Sequence, residues 1–200
     1  MRILVACEES GEVRDRFTAK GHDVTSCDLQ PSRTEGKHYQ GSVFDIINDG
    51  WDMMIAFPPC THLAVSGAKH FHYKITNGSQ QEGASFFMAM VNAPITKIAI
   101  ENPIGVMSRL YRKPDQIIQP YFFGDEFQKT TCLWLKNLPK LYHNKIPNLF
   151  DENITHVGRG EFVTTPSGRR LPKWYSNNTK SKNRSKTFPG IAQAMADQWG

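Results

Sequence analysis

Cys60 follows two prolines in "FPPCTHLAVSG" (residues 57–67), directly after the apolar run "WDMMIA". Consecutive prolines cannot continue a strand, so the chain must leave it through a rigid turn with the thiol at its end. A thiol held there can act as a nucleophile, because open α/β sheets keep ligands at the carboxyl ends of their strands. Some forty residues later "KIAIENP" ends another apolar run with Glu101, followed by Asn102 and Pro103. A carboxyl group at that place can hold or deliver a proton. Asp28 closes "DVTSCDL", where an acid can accept both hydroxyls of a ribose, and "ACEESG" closes the first apolar run with Gly11 as its one glycine. The plain alternatives are a small buried hydrophobe at Cys60, a salt-bridged or capping acid at Glu101 and an ordinary strand-end acid at Asp28.

These residues need strands to carry them. "MRILVAC" reads as a first buried strand, "GEVRDRFTAKGH" as a helix stopped at Gly21, and "DVTSCDL" as a second strand. A loop rich in Pro, Ser, Arg and Gly leads to "GSVFDI". The strand "DMMIAF", a helix through "EGASFFMAMVNA", the strand "KIAIENP" and a "SRLYRKPDQIIQP" segment follow. This alternation predicts an α/β fold with a mainly parallel sheet covered by helices on both faces. After "CLWLKNLPKL" prolines accumulate and periodicity fades until "FPGIAQAMADQWG", a closing helix with Pro189 near its start. The expected organisation is a core over residues 1–141, a weakly structured basic insertion over 142–183, and a C-terminal helix over 184–200 that returns to the core.

The 200 residues are enough for one domain with a substantial core. Apolar stretches are far shorter than the ~20 residues of a membrane span, and no signal-like start precedes the first strand, so a soluble cytoplasmic protein is expected. Cys7, Cys27, Cys60 and Cys132 form no CxxC pair, which favours reduced thiols over a disulfide framework or zinc knuckle. The net charge of +5 is uneven: residues 1–100 carry nine cations against eleven acids, and residues 101–200 carry fifteen against eight. Within Arg159–Lys186, eight basic residues accompany one acid, Glu161, with Phe162, Trp174 and Tyr175 among them. Cations interleaved with aromatics suit a nucleic-acid backbone and its bases; a solvated surface loop is the plain alternative.

Taken in order, "PPC" and "ENP", each after an apolar strand, resemble the DNA (cytosine-5)-methyltransferase family. The resemblance covers residues 1 to about 140 and returns near 184–200, and the length is similar to that of the compact orphan members found in phages and prophages. It implies a Rossmann-like, S-adenosylmethionine-dependent methyltransferase fold, with DNA as partner and the short basic insertion as target-recognition region. It also implies that the Cys60 thiolate adds to carbon 6 of cytosine while Glu101 attends ring nitrogen 3, with Asn102 and Pro103 fixing the direction of Glu101. Gly11, Asp28, Ser42, Asp45 and Pro58 fall around the cofactor. Asn102, Arg109, Gln128, Lys129, Arg169, Arg170 and Lys173 fall on the substrate.

The chain departs from the family at three places. The first loop has one glycine where the family has several. Gly41 is followed by Ser42 where the family has an acid that receives the adenine amino group; either Ser42 accepts that bond more weakly or Asp45, three residues further, replaces the acid. "FQKTTCLWL" has Gln128 but no arginine after it; Lys129 is expected to stand in, with Arg109 or Arg112 reaching over from the preceding segment. Amino-methyltransferases carry Asp, Asn or Ser before Pro-Pro and an aromatic after it, and Phe57 and Cys60 disagree at both places. A non-catalytic nucleic-acid-binding relative is the third reading, opposed by the retention of Cys60 and Glu101. Cys60, His62, His70 and His72 could suggest a metal, but "SGAKHFHYK" reads better as a mobile loop over the site, and no metal is expected.

Overall fold

The apolar runs that end in chemistry-bearing residues form the middle of one seven-stranded sheet. The structure, a computed structural model, describes residues 1–145, 154–166, 168, 170–173 and 187–200. Its strands are β1 (Arg2–Ala6), β2 (Asp23–Asp28), β3 (His38–Gln40), β4 (Met53–Ala56), β5 (Lys97–Pro103), β6 (Gln116–Ile118) and β7 (Thr131–Lys136), in the order β3-β2-β1-β4-β5-β7-β6. The first five pair in parallel, and β7 runs antiparallel between β5 and β6. The mixed, mostly parallel sheet agrees with the α/β fold that the alternating elements predict and with the Rossmann-like arrangement that the resemblance implies. Strand order reverses between β1 and β4, which makes their carboxyl ends the crevice where such sheets take ligands.

Strand alternation supplies both faces with apolar side chains, so "RILVA" and "MMIA" need no polar positions. Leu4, Met54, Ile98, Ile100 and Trp134 point to one face, packing under helix α3 (Ser79–Val91) through Phe87 and Met90. Ile3, Val5, Met53, Ile55 and Leu133 point to the other, under α1 (Glu12–Ala19) and the closing helix, here α5 (Pro189–Trp199). Two short helices, α2 (Phe71–Thr76) and α4 (Met107–Leu110), lie near the carboxyl edge. A two-stranded hairpin, β8 (Phe162–Thr164) and β9 (Arg170–Pro172), stands in the basic insertion.

Several local expectations change. β3 lies inside the expected loop, and "GSVFDI" is a 3-10 turn over Val43–Asp45 capped by the Ser42 hydroxyl. "SGAKHFHYK" is helical, a 3-10 stretch over Val65–His70 running into α2, and Lys74 fastens it by donating to the Thr61 carbonyl at 2.5 Å.

Candidate active site

Backbone contacts at the switch point bring the first and fourth loops together. The Phe57 N–H donates to the Ala6 carbonyl at 2.9 Å, so the Pro58-Pro59-Cys60 turn starts against the end of β1. The Asn102 side chain, 2% exposed, reaches from β5 and donates through Nδ2 to the Pro58 carbonyl at 2.8 Å. Proline turns leave carbonyls without in-turn donors, and a buried carbonyl requires one. Asn102, the residue after Glu101, thus ties the thiol turn to β5.

A second tie lies further along both loops. Val65 N–H donates to Ile104 O at 3.0 Å and Val106 N–H to Leu63 O at 2.9 Å. Gly105 makes the approach possible, since a Cβ there would stand 2.4 Å from the Leu63 carbonyl oxygen. Cys60 caps its own turn, its carbonyl accepting from Leu63 and Ala64. Its side chain is partly exposed and in no disulfide. Burial, the larger effect, pushes the other three thiols up, Cys7 to about 12 and Cys27 and Cys132 to about 11.

Beside the turn, Glu101 is mostly buried and lies 4.0 Å from the Lys129 ammonium, which precedes β7. The reversed direction of β7 is what delivers this lysine: the strand begins at the edge where β5 ends. Lys129 also stands over the Phe188 ring at 5.8 Å, and Phe127 packs on that ring at 5.3 Å. Phe188 is the N-cap residue of α5, so the last helix supplies a wall of the site. Gln128 is partly buried next to Lys129. Arg109 is exposed on α4. Arg112 does not reach in: it pairs with Asp115 at 2.7 Å and donates to Leu135 O at the far end of β7. Among the described residues, no three of the His, Cys, Asp and Glu side chains gather as metal ligands, so Cys60, His62, His70 and His72 form no such cluster.

On the other side of the switch point, Asp28 ends β2 partly exposed, with one carboxylate oxygen accepting from Gln30 N–H at 2.9 Å. Leu29, 70% exposed, follows it, and Phe44, 49% exposed, rises from the turn after neighbouring β3. Phe44 packs edge-on against Phe86 at 5.3 Å, and its exposed part together with Leu29 leaves apolar surface at adjacent strand ends where a flat ring can lie. Ser42 sits between Leu29 and Phe44 in sequence. Asp45 accepts from the Tyr39 hydroxyl at 3.0 Å, a bond that raises the Tyr39 pKa.

The single-glycine first loop works differently from a glycine-rich one. Glu8, buried, accepts from Val13 N–H at 2.7 Å and Arg14 N–H at 3.3 Å, filling the amino end of α1 with its own carboxylate. Burial, the largest influence, raises its pKa against those hydrogen bonds. Gly11 has a φ of 79°, and the space its Cβ would take is filled by the Thr34 hydroxyl. Arg14, 1% exposed, donates to Ser26, Ser32, Thr34 and the Glu35 carbonyl, and Arg33 pairs with Glu9. The segment after Asp28 is thereby strapped over the first loop.

No family model matches this chain, and no curated protein does. Among solved structures it is similar to one assigned as a DNA modification methyltransferase encoded within a prophage of E. coli. Identity is 17%, with 79% of this chain and 53% of that chain covered and a TM-score of 0.48. The chain therefore spans about half the length of that structure.

In the insertion, Arg170 lies over the Phe162 ring at 5.1 Å and Lys173 pairs with Glu161 at 2.5 Å, while Arg169 lies outside the described residues. The sequence reading missed Leu29, Phe44, Glu8, Arg14 and Phe188. Leu29 carried a signal, an apolar residue directly after a strand-end acid; Phe188 carried none, because only tertiary packing sets it beside Lys129.

Proposed function

We propose that the protein is a DNA (cytosine-5)-methyltransferase. The observation that carries this is the Asn102–Pro58 hydrogen bond, because it fixes the Cys60 turn to the strand that bears Glu101. S-adenosylmethionine, when bound, supplies the methyl group. The exposed pair Leu29 and Phe44 fits an adenine ring and the Asp28 carboxylate fits its ribose hydroxyls, with Ser42 and Asp45 near the ring edge. The amino end of α1 is closed to the cofactor carboxylate by Glu8.

In the proposed reaction the Cys60 thiolate forms a bond to carbon 6 of a cytosine taken out of the helix. Negative charge then builds on the ring, and the Glu101 carboxyl group meets it at nitrogen 3 by donating a proton or hydrogen bond. Lys129, close to both Glu101 and Phe188, adds positive charge at the same edge without the bidentate fork of an arginine. Carbon 5, made electron-rich by the addition, takes the methyl group. Water removes the proton from carbon 5, the sulfur–carbon bond breaks with its electrons returning to sulfur, and Glu101 recovers its proton. Arg170 and Lys173, with Arg169, serve the DNA backbone, and Arg109 and Gln128 lie toward the substrate.

The test uses a duplex carrying 5-fluorocytosine in place of cytosine. Fluorine leaves no proton to remove from carbon 5, so the methylated adduct keeps its bond to the protein. Parent protein with S-adenosylmethionine should give a complex that resists denaturation, Cys60→Ala none, and Glu101→Gln one that forms more slowly. Methyl transfer to exocyclic amino groups with no trapped complex would assign the amino-methyltransferase reading instead.

A further inference from the structure

Beyond the catalytic edge, two histidines meet, His143 just after the core strands and His156 thirteen residues later, ahead of the β8–β9 hairpin. His143 Nδ1 and His156 Nε2 are 2.8 Å apart. Their rings lie 4.4 and 4.6 Å from the Phe122 ring, at 19° and 18° to it, and 4.9 Å from one another. Those three distances put both imidazoles side by side on one face of Phe122. Phe123 meets His143 edge-on, and Tyr121 meets His156 edge-on.

The chain after His156 is tied down here. Thr155 and His156 N–H groups donate to the Asn144 carbonyl, and Val157 N–H donates to Tyr121 O at 2.9 Å. Gly160, at φ 75°, closes on the backbone of Glu126, whose carbonyl oxygen a Cβ would meet at 2.1 Å.

We propose that the His143–His156 pair is an acid-released fastening for the segment that leads into the β8–β9 hairpin. An N···N contact of this length needs one ring to donate and the other to accept. Neutral rings satisfy it, as does a pair sharing a single extra proton. Two imidazolium rings cannot, since N–H would face N–H between two like charges.

Among the described residues, the surroundings do not offset that repulsion. Lys145 adds positive charge near His156, and Arg159 stands over Tyr121 at 5.5 Å. Asp125, on the loop after Phe123, is turned to the Gly190 N–H at 2.8 Å, and Glu126 is exposed. Among the described residues neither ring pairs with a carboxylate. Both imidazole pKa values are lowered, His143 by burial and then His156, and His156 by burial and then Lys145.

The sign follows from proton counting. The released segment binds one proton more than the docked pair, so docking is complete above the ordinary histidine range near 6.5. The released-to-docked ratio then grows about tenfold for each pH unit below it.

Hydrogen exchange of the full chain at pH 7.5 and 5.0, corrected for intrinsic rates, reads this directly. The Val157 amide should lose protection by at least about tenfold at pH 5.0, while β1 and β4 keep theirs. His156→Gln keeps a neutral donor and should flatten the ratio between the two pH values, as should His143→Gln. In the imidazole NMR titration the parent pair should show two separated steps, the lower well under 6.5. Equal protection at both pH values, an unchanged ratio in both glutamine variants, equal loss in β1 and β4, or two ordinary single steps near 6.5 would each overturn the proposal.

Discussion

Replacing Asn102 by Ala tests whether the thiol turn is held from β5. Asn102 is buried and its one assigned side-chain bond, 2.8 Å to the Pro58 carbonyl, has no substitute donor from the prolines around it. Leaving that carbonyl without a partner costs about 1–3 kcal/mol. The fold survives, because the Val65–Ile104 and Val106–Leu63 bonds still join the two loops. The thiol is affected more than stability is: a shift of about 1 Å in a reacting group can cost on the order of 100-fold in rate. Asn102→Asp keeps the shape and sets an acceptor against an acceptor, so it should be at least as damaging. Urea unfolding gives the first quantity, and the rate of trapping on 5-fluorocytosine DNA gives the second. Both variants trapping at the parent rate, or slowing only in proportion to the unfolded fraction, would refute the argument.

Alkylation with iodoacetamide at pH 8 should label Cys60 first, because thiols at about 12 and about 11 expose only about one part in ten thousand to one in a thousand as thiolate; peptide mapping that finds Cys7, Cys27 or Cys132 modified as fast would contradict this. Asp28→Ala should weaken S-adenosylmethionine binding by about 1.5–3 kcal/mol, the loss of hydrogen bonds to a charged acceptor, and calorimetry showing equal affinities would remove Asp28 from the site.

The strands that meet at the switch point were legible because burial on both faces demands continuous apolar runs, and "RILVA", "MMIA" and "KIAIENP" are such runs. Chemistry-bearing residues at their ends could therefore be placed on one edge before any coordinates. The antiparallel course of β7 was not legible: "TCLWLK" has the same apolar look as a parallel strand, and direction depends on the connection through β6. Nor was the helical form of residues 65–76, which lacks an apolar period and is fixed by Lys74 on the Thr61 carbonyl. The Asn102 bond to the Pro58 carbonyl was not legible either, since a side chain that reaches to the turn after the neighbouring strand leaves no trace in spacing.

Arg14 has a consequence for how tightly a ligand can be held. Holding a backbone residue in one conformation costs on the order of 1–2 kcal/mol, and a loop that is ordered only when its ligand arrives takes that cost out of the affinity. Residues 32–35 have no strand or helix of their own, yet one guanidinium holds Ser32, Thr34 and the Glu35 carbonyl from inside the protein. Their ordering is completed during folding, so a molecule settling on Asp28 meets a wall already in position, and more of its contact energy is left to appear as binding.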